Sequence, residues 1–199
     1  TDEFVSAINA AIYRYPGNAH RELKTINNWR TEISALFGFI EHTPTTDKPG
    51  RRAIELAERQ DLVECFKVFL YNFQYPGAHI KPKNVLEQIE VGVHFKPAQY
   101  ILKLLRHANK DGGNSIGLTK FEVCHCIFND LRVTRDNEGV EKTWERILQN
   151  RKNGYEYDQT GDVIRYAGDI IDYMEIANLL KTYDSRMYYL NTLEEEAII

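Results

Sequence analysis

The sequence predicts a mainly α-helical chain with small β wings (α+β), organised as two tandem winged-helix-like subdomains. Three observations predict it. Apolar residues recur at helical spacing over most of the 199 residues. In both halves, successive helical runs give way to a short strand-like segment next to a polar turn. Pro, Gly, Asn and Asp cluster between the runs, where turn geometry needs them. The expected divisions are residues 1–78 for the first subdomain, 79–96 for a linker and 97–199 for the second.

Along the chain, Phe4, Ala7, Ile8, Ala11 and Ile12 predict an amphipathic helix over 2–14, ended by Tyr15-Pro16-Gly17-Asn18. A second helix is expected from about Arg21 to Leu36, with Leu23, Ile26, Ile33 and Leu36 on one side and Lys24, Asn27, Asn28 and Arg30 on the other. Residues 37–42 change to strand chemistry, and 43–50 read as a polar turn. Arg51-Arg52 return from that turn into a helix that runs to about Gln60. The apolar stretch 61–73 reads as the core strut of the first subdomain, and 79–96 as irregular. Residues 97–108 form the next helix. Thr119 with Glu122 has capping-box spacing at a helix start. Residues 138–150 and 162–181 read as further helices. Segments 179–183 and 187–191 then pair around Asp184-Ser185 as a second wing.

Helix, helix, strand, polar loop and return is the order of a winged helix-turn-helix. A helix about 10–12 Å across fits the DNA major groove, and a flanking β-loop reaches the backbone. A small α+β packing unit without a ligand has the same pattern.

Charge divides the chain. Residues 1–110 hold 15 Lys+Arg against 12 Asp+Glu, and residues 111–199 hold 10 against 17, giving the overall −4. An evenly basic nucleic-acid coat is excluded, and the asymmetry points to one working face. No run of 18 apolar residues spans a membrane, and the acidic start is no signal peptide. Three cysteines suit a reducing, cytoplasmic setting. The missing initiator Met and the ending at Ile199 suggest an excerpt of a longer chain.

A complete active site is not expected. Metal-dependent phosphodiesterases need clustered carboxylates and a nearby Lys, and Glu64-Cys65-Phe66-Lys67 has the wrong spacing for that pattern. No P-loop, G-x-S-x-G, G-x-G-x-x-G or H-E-x-x-H occurs. Cys124-His125-Cys126 lacks the partner pair of a zinc site and reads as a packed helix. Asp158, Asp162, Asp169 and Asp172 read as solvated helix-face carboxylates.

Asn27-Asn28-Trp29-Arg30, succeeded by Gly38-Phe39-Ile40, resembles the R-x-R…G-F-[VI] segment of type IIS restriction and nicking endonucleases of the AlwI kind. The order of the later segments is similar too: Ala53-Ile54-Glu55-Leu56-Ala57, then Gln74-Tyr75-Pro76, then Leu118-Thr119-Lys120-Phe121-Glu122, Ile147 with Arg151, and a closing Tyr188-Tyr189-Leu190-Asn191. The likeness covers about residues 20–195. It implies a sequence-specific DNA-recognition region, with the Mg²⁺-dependent cleavage domain elsewhere and no cofactor in this fragment. Two departures stand out. Asn28 replaces the first Arg of the pair. Asp172–Leu180 lacks the family's basic residues and has Asn178 where the family has Gly.

Double-stranded DNA is therefore the expected partner, alongside a nuclease domain or subunit. Arg21, Lys24, Asn27, Asn28 and Arg30 are expected at the major groove, since Asn pairs adenine bidentately and Arg pairs guanine. Lys48, Arg51 and Arg52 on the wing, with Lys81 and Lys83 in the linker, are expected on phosphates. For Arg30 the structural alternative is a salt bridge to Glu32 or Glu41. The rival functions are a winged-helix transcription regulator, a protein–protein interaction module, and a hydrolase built on Asp162, Asp169 and Asp172.

Overall fold

The computed structural model describes residues 2–14, 34–42, 44–77, 80, 82–111, 113, 115–184 and 186–191. The chain divides into two compact units, Thr1–Gln60 and Asp61–Ile199.

The first unit opens with α1 (Asp2–Arg14), as its apolar spacing predicts. Residues 34–36 are helical, and the chain leaves them through Gly38 at a φ of +64°. A hairpin comes next. Strand β1 (Ile40–His42) pairs antiparallel with β2 (Asp47–Pro49), in the register Ile40–Pro49, Glu41–Lys48 and His42–Asp47. Its base is closed by Gly50 N–H donating to the Phe39 carbonyl at 2.8 Å. Gly50 is buried there, and a Cβ on it would run into the Gly38 carbonyl oxygen. Glycine is thus a steric requirement at 50, and at 38 it suits the left-handed backbone angle.

Helix α2 (Arg51–Arg59) starts directly after Gly50. This corrects one expectation: the return strand lies within the stretch read as a turn, and Arg51 and Arg52 stand in the first turn of a helix rather than on the wing. Gly50 is extended (φ −71°, ψ 159°) and acts as the N-cap.

In the second unit, α3 (Leu62–Asn72) is capped by Asp61, whose side chain accepts from Glu64 N–H at 2.9 Å. Its Phe66 and Phe69 rings lie 5.4 and 5.8 Å from that of Tyr173. The apolar helix expected to be the strut of the first subdomain is therefore part of the second unit. The boundary falls after Gln60 instead of at 78. The expected linker is structured as well. It carries α4 (Pro82–Glu90), and its Ile80, Val93 and Phe95 are buried. Tyr75 and Phe95 exchange backbone hydrogen bonds at 2.9 and 3.1 Å, and both rings meet Phe128 edge-on.

Helix α5 (Pro97–Ala108) starts with Pro at its first position, where a missing N–H costs nothing. It buries Ala98, Ile101, Leu102, Leu104 and Leu105 against its neighbours. Strand β3 (Leu118–Thr119) leads into α6 (Lys120–Val123), which continues as a π-helical turn over Cys124–Phe128. Then come α7 (Leu131–Thr134), α8 (Val140–Lys152) and α9 (Asp162–Ile176). Strands β4 (Leu180–Thr182) and β5 (Met187–Leu190) close the fold. The sheet order is β3-β5-β4, all antiparallel, so the last hairpin adds its second strand to the strand that precedes the helices. That order and the long helix before the hairpin are those of a winged helix.

Helix α9 ends five residues earlier than its apolar pattern predicts. Asn178 adopts φ +57° and donates to the Glu175 carbonyl, while Leu179 N–H donates to the Met174 carbonyl. These paired bonds form a Schellman motif. Asn tolerates the left-handed conformation better than most residues, so Asn178 fills the position past the helix end that glycine most often takes.

Candidate nucleic-acid interface

In the first unit the candidate cations stand on the hairpin and on the helix directly after it. Lys48 lies opposite Glu41 across the strand pair, and its Nζ reaches a Glu41 carboxylate oxygen at 2.9 Å. Both side chains are at least half exposed. Arg51 donates from Nε to Glu55 one turn on, at 2.8 Å. Arg52 is half-buried and forms no ion pair among the described residues. In the second unit Lys83 sits on α4, 3.8 Å from Glu87.

Exposed pairs of this kind contribute roughly 0–1 kcal/mol. The carboxylates hold the cations in place without committing them, so an incoming phosphate can displace them. Such contacts fix position without reading sequence. Arg21, Lys24, Asn27, Asn28, Arg30 and Lys81 lie outside the described residues. The structure thus brings Lys48, Arg51 and Arg52 into one unit and places Lys83 in the other.

The second unit uses many of its charged residues on itself. The capping box at Thr119 is complete: Thr119 N–H donates to Glu122 at 2.8 Å, and Glu122 N–H donates to the Thr119 hydroxyl at 3.1 Å. Arg151 of α8 closes on the same carboxylate with two bonds, at 2.7 and 2.8 Å, and donates to the Gly117 carbonyl at 2.7 Å. Glu122 is buried, and the Trp144 ring lies 5.3 Å from the Arg151 guanidinium. Two widely separated motif fragments of the family resemblance, Leu118–Glu122 and Ile147 with Arg151, are therefore halves of one ion pair that holds the fold. A second network joins buried Asp130 to Arg132 at 2.7 Å and to Arg146 at 3.0 Å, and Arg146 to Glu138 at 2.7 Å. Burial alone would raise the Asp130 carboxyl, but the hydrogen bonds from Arg132 and the charge of Arg146 hold it below the usual range.

Helix α9 occupies the place of a recognition helix, yet its exposed face carries Asp162 and Asp172 beside a single Arg165. Partial desolvation raises the Asp172 carboxyl, which Lys120 offsets in part. Desolvation and the neighbouring Asp172 charge raise Glu175. A polyanion is disfavoured along this face.

Cys124 and Cys126 are buried. Burial pushes the Cys124 thiol up to about 11 and raises Cys126 as well, which leaves both protonated and poor nucleophiles. His125 stacks on Tyr157 and contacts the Asp158 carbonyl at 2.6 Å. The three residues pack a π-helical turn. Among the described residues no group of three or more His, Cys, Asp or Glu side chains could hold a metal ion. No helix among them is long and apolar enough to cross a membrane.

Comparison with known proteins bears on the whole chain. The family model described as "Restriction endonuclease BpuJI - N terminal" matches residues 1–199. Among solved structures, the chain is similar to one described as "Crystal structure of pyrene- and phenanthrene-modified DNA in complex with the BpuJ1 endonuclease binding domain". The two share 25% identity and superpose with a TM-score of 0.80, over 99% of this chain and 72% of that one. No curated protein matches.

Proposed function

Because this chain belongs to the family of N-terminal regions of the restriction endonuclease BpuJI, we propose that it recognises a specific sequence in double-stranded DNA and is the targeting part of a type IIS-like restriction endonuclease. The observation that carries the reading is the family match over residues 1–199. The solved relative, a binding domain in complex with DNA, supports it. So does a hairpin that presents displaceable cations beside a helix.

In this reading Arg30, Asn27 and Asn28, with Arg21 and Lys24, face base edges in the major groove, and Lys48, Arg51, Arg52, Lys81 and Lys83 rest on phosphates. Cleavage, with the Mg²⁺ it needs, belongs to a nuclease part outside residues 1–199. The chain itself needs no cofactor to bind, and it works in the cytoplasm, where the DNA is. The kinship expected with type IIS recognition regions agrees with the match to the BpuJI N-terminal family.

The test is a titration of labelled duplexes at fixed salt. Arg30→Ala should cost about 1–3 kcal/mol on the preferred site and little elsewhere, because a lost bidentate base contact removes discrimination. An Arg30→Ala chain that keeps both affinity and preference refutes the groove assignment. A wild-type chain that binds no duplex refutes the reading itself.

A further inference from the structure

The first unit, Thr1–Gln60, is electrically neutral: it holds eight Lys+Arg and eight Asp+Glu. The positive excess of residues 1–110 therefore lies wholly in the second unit. It is concentrated in residues 91–110, a run of twenty without a single acid and with Lys96, Lys103, Arg106 and Lys110. Further along, residues 155–184 hold seven acids against two cations.

The fold turns the acid-free run into a surface. The exposed positions from Pro97 to Lys110 are 103, 106 and 110, and all three are cationic. Every other position in that stretch is buried or half-buried, so the helix and the turn after it show solvent only these three cations. Lys103 and Arg106, three residues apart, share one face of α5, and Lys110 follows two residues past its end, where its N–H donates to the His107 carbonyl at 3.3 Å. Lys103 and Arg106 are roughly 4.5 Å apart along the helix axis at 1.5 Å per residue, close to the spacing of about 3.4 Å between phosphates on one DNA strand. None of the three has an ion pair among the described residues. Glu141 of α8 faces His107 of the same helix instead, at 4.0 Å.

The ends of the stripe are fixed. Lys96 donates to the Tyr71 carbonyl at 3.0 Å and lies 5.1 Å over its ring. Asn109 ties the helix end, through Leu105, to Ile116 in the segment before β3, at 2.8–3.0 Å. Arg106 in the last turn and Lys110 just beyond it also suit the negative C-terminal pole of the helix, whereas at Lys103 an Asp or Glu would solvate the helix equally well.

We propose that Lys103 and Arg106 on α5, with Lys110 in the turn just after it, form a second DNA-backbone contact of this chain, one that supplies affinity without sequence preference. It rests on the DNA-binding reading above and assigns the second unit a direct electrostatic role through α5 rather than through α9. Three phosphates neutralised release their counterions, so the stripe sets part of the salt dependence of binding.

The test is the triple variant Lys103→Gln/Arg106→Gln/Lys110→Gln in the full chain, measured with two labelled duplexes, one carrying the preferred site and one lacking it, over a salt series. Affinity should fall by the same factor, roughly tenfold or more, on both duplexes, and the slope of log K against log salt should fall in magnitude by about 2–3. Arg106→Gln alone should remove about 1 from the slope, while Lys152→Gln, an exposed cation at the end of α8, should leave it unchanged. Because the three side chains are exposed, the thermal transition should not move. The proposal is overturned if the wild-type chain binds DNA and the triple variant keeps its slope, or if the variant changes sedimentation instead of DNA affinity, which would assign the stripe to an acidic protein partner. If the wild-type chain itself binds no duplex, the failure belongs to the functional reading.

Discussion

The two hairpins of this chain share a topology and differ in what holds them. The first, Ile40–His42 with Asp47–Pro49, stands alone as a two-stranded sheet. Its support is a pair of glycines in close approach, the buried Phe37 against Phe39, and exposed charge pairs. The second, Leu180–Thr182 with Met187–Leu190, is part of a three-stranded sheet whose Leu118, Leu180 and Leu190 are buried. Behind it stands the Glu122–Arg151 pair. A charged side chain satisfied inside the fold is not available to a ligand, and a cation held by one exposed carboxylate is. In the proposed reading, the first wing presents cations and the second is held by the fold. The cations proposed to meet DNA in the second unit are those of α5 and the turn after it.

The contrast is broken most forcefully at Arg151. Arg151→Ala leaves the buried Glu122 carboxylate without its guanidinium, and stability should fall by about 3–5 kcal/mol, read as the shift in denaturant midpoint. A loss below about 1 kcal/mol, the level of an exposed pair, would mean that the pair does not hold the second unit. Gly50→Ala probes the other side. Pushing a methyl group into the Gly38 carbonyl should cost about 1–3 kcal/mol. Amide exchange should quicken in 40–49 and not in 180–190. DNA affinity should drop on all sequences alike.

Lys48→Ala is smaller. It removes one phosphate contact, weakens every duplex similarly, and takes about 1 from the salt slope. A change confined to the preferred site would move Lys48 from positioning to reading.

The smallest effect concerns pH. The Asp172 carboxyl is raised in the fold above its ordinary 3.8. Its charge therefore costs stability once pH exceeds that value, and the protonated form is favoured below it. Asp172→Asn should raise the melting temperature slightly at neutral pH, with the gain vanishing below the ordinary carboxylate range. Asp130 has the opposite sign. Its lowered carboxyl stabilises at neutral pH, and that contribution is lost as pH falls through and below the usual carboxylate range.

Much of the architecture is legible in the residues themselves. Thr119 with Glu122, Pro97 at a helix start, and the Asp184 turn are local chemistry, and the structure realises each where its signature stands. The differences between sequence expectation and structure share one physical cause: a distant partner or a backbone angle settles the residue's role. Gly50 is a cap and not a turn residue, because the Gly38 carbonyl approaches it. Leu62–Asn72 joins the second unit because Tyr173, a hundred residues away, supplies its aromatic contact. Asn178 stops α9 because it takes the left-handed conformation, which an apolar pattern does not register. The cations of α5 stand in a visible acid-free run, but their alignment emerges only once the buried side of that helix is known. Of the candidate interface, Lys48, Arg51, Arg52 and Lys83 have described positions, and the groove-facing set around Arg30 does not.

The central claim is that residues 1–199 carry sequence-specific recognition by themselves. Selection of bound duplexes from a random pool, at a fixed ionic strength of about 0.15 M so that phosphate neutralisation does not mask preference, tests it most directly. One short motif should emerge with the wild-type chain, blur with Arg30→Ala, and persist at lower yield with the α5 triple variant. A pool that stays random with the wild-type chain would contradict the claim.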